Sequence, residues 1–208
     1  MDTITTYLAL GDSYTIGEGV SQAESFPYVL SSLVEAKTSG ASIEVKVVAK
    51  TGWTTDELSA KIDEEEREGN FGENYSLVTL LIGVNNQYRG PEKGFTQERY
   101  EQEFPPLLER ALAFAGGKAE KVRVLSVPDW GQTPFGKKSE RDLALISTEI
   151  DAYNAFASSL CASKNVRFLD ITPYSREVAA DASFITEDCL HYSGKSKQHY
   201  AQAVFKSL

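Results

Sequence analysis

Five short stretches crowded with aliphatic and β-branched residues recur along the chain at intervals of roughly 33 to 45 residues, each of strand length. They run from Thr5 to Leu10, Ile43 to Ala49, Leu77 to Ile82, Lys121 to Val127 and Val166 to Leu169. Between them the apolar positions change to helical spacing, which predicts helices over Ser25 to Ala36, Thr55 to Glu68, Thr96 to Phe114, Glu140 to Cys161 and Ser193 to Phe205. Runs such as Tyr7-Leu8-Ala9-Leu10 and Leu77-Val78-Thr79-Leu80-Leu81-Ile82 are apolar without alternation. A strand needs that pattern when helices cover both of its faces. Repeated β-α units with such strands imply a parallel sheet in a three-layer α/β/α sandwich, and right-handed crossovers favour the five-stranded order 2-1-3-4-5. The acidic run Asp63-Glu64-Glu65-Glu66 reads as the solvated end of the second helix, stopped by Gly69.

Composition narrows the picture. The 208 residues are 41% apolar and 25% charged, the profile of one globular domain, taken as residues 1–208, that needs no disulfide or metal staple. A net charge of -9 repels phosphate backbones, so nucleic acid is not an expected partner. No apolar run approaches the roughly 20 residues of a membrane span. The start Met1-Asp2-Thr3 has neither the basic nor the apolar region of a leader, so the default expectation is a cytoplasmic protein, or a secreted or periplasmic one if a leader has been removed. Two scattered cysteines, Cys161 and Cys189, support neither a disulfide framework nor a zinc site.

In open parallel sheets ligands bind beyond the carboxyl ends of the strands, so the chemistry is sought in the loops that follow them. Strand 1 leads into Gly11-Asp12-Ser13-Tyr14, strand 2 into Thr51-Gly52-Trp53, strand 3 into Gly83-Val84-Asn85-Asn86, and the last helix is preceded by Asp188-Cys189-Leu190-His191. Ser13 follows a buried strand directly, which projects its Oγ from the top of the sheet. A nucleophilic serine needs a base, and of the two histidines His199 lies inside a helix as a surface or packing residue. His191 has Asp188 three residues upstream, close enough to hold Nδ1 and leave Nε2 free for the serine proton. The Ser13 N–H at a helix start, the unobstructed Gly52 N–H and the Asn85 amide are candidate donors to a developing oxyanion. In the order 2-1-3-4-5 the loops after strands 1 and 3 flank the switch-point crevice, so Ser13 and Asn85 face one another.

The blocks Gly11-Asp12-Ser13, Gly52, Gly83-Val84-Asn85 and Asp188-Cys189-Leu190-His191 resemble, in order, those of the SGNH hydrolase superfamily, the GDSL esterases and lipases. The resemblance implies a flavodoxin-like fold, Ser13 as nucleophile, His191 as base, Asp188 as its orienting acid, and Ser13, Gly52 and Asn85 as the oxyanion hole. It implies no metal or organic cofactor. Three positions depart from the family pattern: Tyr14 stands where Leu is frequent, Asn86 where Asp is usual, and Tyr192 where Pro is common.

Competing motifs fail on spacing. Gly194-Lys195-Ser196 lacks the distal glycine of a phosphate loop, Gly17-Glu18-Gly19 lacks the third glycine of a dinucleotide fingerprint, and there is no Gly-x-Ser-x-Gly elbow. The expected activity is hydrolysis of acyl or acetyl esters through an acyl-enzyme, on acetylated carbohydrate, lysophospholipid or a short-chain ester. The alternative is a non-catalytic glycan- or lipid-binding module on the same fold. Asp12, Tyr14, Trp53, Asn86, Tyr88 and Trp130 are candidate substrate contacts, with Trp53, Tyr88 and Trp130 as stacking surfaces. The stretch from Arg89 to Gly94 reads as a mobile lid, and Cys189 as a small packing residue.

Overall fold

The computed structural model describes residues 4–38 and 42–208, so the Met1-Asp2-Thr3 start lies outside the described residues. Five parallel strands, β1 (Thr6–Gly11), β2 (Glu44–Ala49), β3 (Leu77–Leu81), β4 (Val122–Leu125) and β5 (Arg167–Leu169), form one sheet in the order β2-β1-β3-β4-β5. Among the described residues nine α-helices connect and cover them: α1 (Ser13–Ile16), α2 (Phe26–Lys37), α3 (Thr55–Arg67), α4 (Val84–Arg89), α5 (Gln97–Phe114), α6 (Pro134–Lys138), α7 (Leu143–Ser163), α8 (Thr172–Val178) and α9 (Gly194–Lys206). The expected order and the five long helices are present. The helix start expected at Ser13 is α1, whereas the short helices α4, α6 and α8 were not expected, because five to seven residues carry too few turns to show a period.

Alternation within the strands splits the core. Tyr7 and Ala9 of β1 with Leu77 and Leu81 of β3 face α2 and α9, where Phe26, Leu30, Tyr200 and Val204 close one layer. Leu8 and Leu10 with Val78 and Leu80 face α3, α5 and the later part of α7, packing on Ile62, Leu107 and Ala157. Each fully buried large aliphatic side chain contributes about 1.5–3 kcal/mol relative to exposure, which explains why these strands tolerate no polar face. The one buried hydroxyl pair between β1 and β3, Tyr7 Oη and Thr79 Oγ1, satisfies itself at 2.8 Å. Among the described residues no helix is long and apolar enough to cross a membrane.

Helix α3 begins with a capping box between Thr54 and Glu57. It ends at Gly69 (φ +68°), where the Gly69 and Asn70 N–H groups return to the Glu66 and Glu65 carbonyls. The acidic run is more than a solvated end. Glu65 pairs with Lys46 and Lys61, and Arg110 bridges Asp63 and Glu66, tying α3 to β2 and α5. Helix α7 starts later than its apolar period suggests, since the Asp142 carboxylate caps the Ala144 and Leu145 N–H groups.

Gly11 ends β1 where space is most restricted. A Cβ there would lie 2.2 Å from Thr15 Oγ1 and 2.4 Å from the Leu81 carbonyl oxygen. One of those neighbours is backbone and cannot swing away. Gly11→Ala is therefore expected to destabilise the protein by at least about 2 kcal/mol through overpacking, read as a lowered urea midpoint with an unchanged m-value.

Candidate functional site

The chain turns into α1 immediately after β1. Asp12 caps this turn, with Oδ1 accepting the Tyr14 N–H at 3.0 Å, which makes Ser13 the first residue of α1. Ser13 is nearly buried, and its N–H and hydroxyl have no hydrogen-bond partner among the described residues. It borders a cavity of about 140 Å³ that it shares with three other loops: Thr51 and Gly52 after β2, Val84, Asn85 and Tyr88 of α4, and Leu190 and His191 before α9. Tyr14 and Trp130 complete the wall.

Each donor on this wall is held from behind. Gly52 adopts φ +88°, a left-handed conformation that an L side chain strains to reach, although a Cβ would meet nothing within 4 Å. Its carbonyl accepts from Arg89 Nη2 at 2.8 Å, and the same nitrogen reaches Glu57 of the α3 capping box at 2.8 Å. The Gly52 N–H donates to no other described residue. Asn85 Nδ2 commits one of its two protons to the Trp53 carbonyl at 2.9 Å, which fixes the amide and leaves the second proton available.

His191 is 8% exposed and its Nδ1 lies 2.6 Å from Asp188 Oδ2. A proton on Nδ1 shared with that carboxylate leaves the Nε2 lone pair unprotonated. Asp188 Oδ1 accepts from the Leu190 N–H at 2.8 Å, the His191 N–H at 2.9 Å and the Thr186 hydroxyl at 2.7 Å. Partial burial raises the Asp188 carboxyl, but the hydrogen bonds from the His191 ring and backbone, Thr186 and Leu190 outweigh it and hold the group well below the usual carboxylate range. The tight turn between the two residues needs Cys189 at φ +64°. Cys189 is thus half-buried at a turn apex, not a packing residue, and its carbonyl accepts from the Phe135 N–H at 2.9 Å. An antiparallel bridge between Ile185 and Tyr192 closes the loop. The Tyr192 hydroxyl lies 3.1 Å from both the Asp129 and the Ser175 carbonyls, which anchors the loop to the β4 side of the site.

Ser13, Gly52, Asn85 and His191 therefore meet on one cavity, with Asp188 behind the imidazole. Three other candidates do not reach its wall. Asp12 is fully buried beneath α1, and Trp53 contributes its carbonyl to Asn85 while its indole packs against the sheet core. Asn86 is a clamp: Oδ1 accepts the Thr55 N–H and Nδ2 donates to Thr55 Oγ1 at 2.7 Å, joining α4 to α3. Trp130 lines the cavity but is only 1% exposed, with Nε1 donating to Gln87 Oε1 at 2.6 Å and Tyr88 packed edge-on at 5.0 Å. An indole so enclosed is a wall and offers no open face for stacking. The segment from Arg89 to Gly94 is tied to the body at Arg89 by the bonds above, while Pro91–Lys93 folds into an exposed 3-10 turn.

Sequence reasoning missed Thr186, the anchoring role of Arg89, and Leu190 and Val84 as cavity wall. Thr186 precedes Asp188 by two residues, a spacing from which its hydroxyl could have been inferred to reach the carboxylate. His199 stacks on Tyr174 at 3.6 Å on the exposed face of α9, in keeping with a packing role. Among the described residues no three His, Cys, Asp or Glu side chains gather to hold a metal ion. A larger cavity of about 430 Å³ opens at the opposite edge of the sheet, lined by Ile4, Leu77, Arg123, Phe205 and their neighbours, and contains none of the four blocks.

A 2-1-3-4-5 parallel sheet with these four blocks gathered past its carboxyl edge is the SGNH hydrolase fold, a class of carboxylic ester hydrolases. The model of the GDSL-like lipase/acylhydrolase family matches residues 9–198, and the chain belongs to that family. Its reaction class is carboxylic ester hydrolysis. No curated protein sequence matches the chain. Among solved structures it is similar to the lipase Lip_vut3 from a goat rumen metagenome, at 19% identity and TM-score 0.76 over 98% of this chain and 97% of that one. The acetylxylan esterase Axe2 of Geobacillus stearothermophilus is similar at 18% identity and TM-score 0.73, over 99% and 95%. A lipase/acylhydrolase of Enterococcus faecalis is similar at 18% identity and TM-score 0.71, over 97% and 94%.

The Asp188 environment sets a pH dependence with a definite sign. A carboxyl depressed in the folded state stabilises the protein fully above its unfolded pKa, about 4, and that contribution is lost as pH falls through the folded value. Asp188→Asn is accordingly expected to lower the urea midpoint more at pH 7 than at pH 3. Parallel denaturation of the variant and wild type across that range checks it.

Proposed function

We propose that residues 1–208 act as one serine esterase domain, with Ser13 as nucleophile, His191 as general base and Asp188 orienting the imidazole. His191 Nε2 takes the Ser13 proton as Oγ bonds to the ester carbonyl carbon, and the carbonyl π pair moves onto oxygen. The Ser13 and Gly52 N–H groups and the free Asn85 proton receive that charge. Collapse expels the alcohol, which leaves with the proton held by His191. Water, deprotonated by His191, then attacks the acyl-serine, and cleavage of its Oγ–C bond releases the acid and restores the Ser13 hydroxyl. The observation that carries this reading is the convergence of four remote loops on one small cavity, with every donor anchored from the side away from it.

The acyl group is short, acetyl in the first instance, and the leaving group is an alcohol of the size of a sugar. The 140 Å³ cavity is smaller than the roughly 300–1,000 Å³ of sites that enclose drug-sized ligands. Tyr14, Trp130 and Leu190 close it with bulky walls, and Tyr88, 40% exposed, stands at the rim where a leaving group would lie. That the similar Axe2 is an acetylxylan esterase agrees with acetylated carbohydrate as substrate.

Turnover of p-nitrophenyl acetate and octanoate, together with labelling by a serine-directed fluorophosphonate, tests the reading. Wild type is expected to prefer the acetate and to be labelled at Ser13, Ser13→Ala to lose both activity and label, and Asn85→Ala to lower kcat by about a hundredfold with the fold intact. Undiminished turnover by Ser13→Ala sinks the mechanism. A wild-type protein that is neither labelled nor active, yet retains acetylated oligosaccharide, is instead a binding module.

A further inference from the structure

Lys197, on the first turn of α9, is fully buried, an environment almost never given to a lysine without strong compensation. Its Nζ donates to the Tyr14 carbonyl at 2.9 Å across 183 residues of chain. It also lies 5.0 Å from the centre of the Tyr14 ring and 5.5 Å from that of Tyr200. No carboxylate forms a direct ion pair with it among the described salt bridges; the charges acting on it are those of Asp12 and then Asp188. Asp12 itself is fully buried, with Oδ1 spent on the Tyr14 N–H and Oδ2 without a partner among the described residues. Burial pushes the Asp12 carboxyl up to about 7 and the Lys197 ammonium down to about 7, and in each case the opposite charge of the other works against the shift.

Packing does not account for this arrangement, because a neutral donor would satisfy one carbonyl at far lower desolvation cost. What the lysine joins is the two halves of the site. Tyr14 follows the serine of α1, and Lys197 lies six positions beyond His191, on the helix that the histidine loop enters. Tyr14 also faces the His191 and Tyr192 rings, at 5.6 and 6.0 Å between centroids. We propose that Lys197 is a positioning residue of the ester-hydrolysing site: its ammonium clamps the Tyr14 carbonyl and balances the Asp12 carboxyl, holding the Ser13 turn in register with His191. This rests on Ser13 and His191 acting as nucleophile and base.

Lys197→Met keeps the bulk and removes both charge and donor. The expected result is labelling of Ser13 by the fluorophosphonate at least about tenfold slower than in wild type and kcat reduced in proportion, with KM for p-nitrophenyl acetate changed less than about twofold, the pattern of misplacement by a fraction of an ångström. Should that variant not fold, Asp12→Asn/Lys197→Met, which removes both buried charges, is compared with Asp12→Asn alone. Thermal unfolding is recorded for each. Slow labelling in a variant that melts at least as high as its lysine-bearing parent supports the inference. Labelling at the parent's rate, or a rate that recovers whenever Tm does, overturns it and leaves the esterase reading standing. A wild-type protein that resists the reagent overturns both.

Discussion

The register of the central strand is the constraint on which the site depends. Gly11 pairs across the sheet with Ala49 on one side and Leu81 on the other. Three strand ends therefore lie side by side, and Ser13, Gly52 and Asn85 stand two, three and four residues beyond them. At about 3.3 Å per residue such short tethers leave little freedom. Slipping β3 by one position would turn its side chains, all of them buried, to the wrong layer, and β2 likewise sends Val47 to one layer and Val48 to the other. The hydrophobic core thus fixes Ser13, Gly52 and Asn85 relative to each other before any polar contact in the site is considered.

The histidine arrives by another route, and its placement is a separate problem. No strand leads directly into it; it rides on the loop between α8 and α9. The Ile185–Tyr192 bridge closes that loop, the Tyr192 hydroxyl fastens it toward the β4 side, and three donors converge on Asp188 Oδ1 to preset the imidazole. Internal order is therefore high, while the attachment to α1 runs through few contacts. That division suits the proposed mechanism, in which His191 moves a proton between serine, leaving group and water without losing its tautomer.

The sheet, its order and the four blocks were legible because each leaves a local signal: unbroken apolar runs, β-α spacing, and turn residues directly after strands. Helix α5 was legible even through Pro105 and Pro106, since Phe104, Leu107 and Leu108, all 0–1% exposed, keep its period and its packing offsets the lost backbone bonds. What stayed hidden depends on partners far along the chain. Asn86 reads like a loop amide but clamps Thr55, Trp130 reads like a stacking platform but is bonded to Gln87, and the glycines and proline after Arg89 read like a hinge although Arg89 reaches Gly52. Lys197 sits in a polar stretch, Gly194-Lys195-Ser196-Lys197-Gln198, where nothing nearby announces burial.

The placement of unsatisfied polar groups says where the fold gives up stability. Among the described residues the buried side-chain atoms without a hydrogen bond are Asp12 Oδ2, Thr15 Oγ1 and the Tyr200 hydroxyl. Two belong to the turn that carries Ser13, and the third is on α9, whose Lys197 reaches that turn. Each such atom costs on the order of 1–3 kcal/mol. Elsewhere even awkward buried groups are paired: Tyr7 with Thr79, Trp130 with Gln87, and Asn154 with Val127 and Thr172. Two unpaired atoms on the turn of one four-residue helix, in a core otherwise satisfied, set that turn apart as the place where local stability is given up, as expected where a site overrides it. The two packed layers supply the surplus that lets it persist.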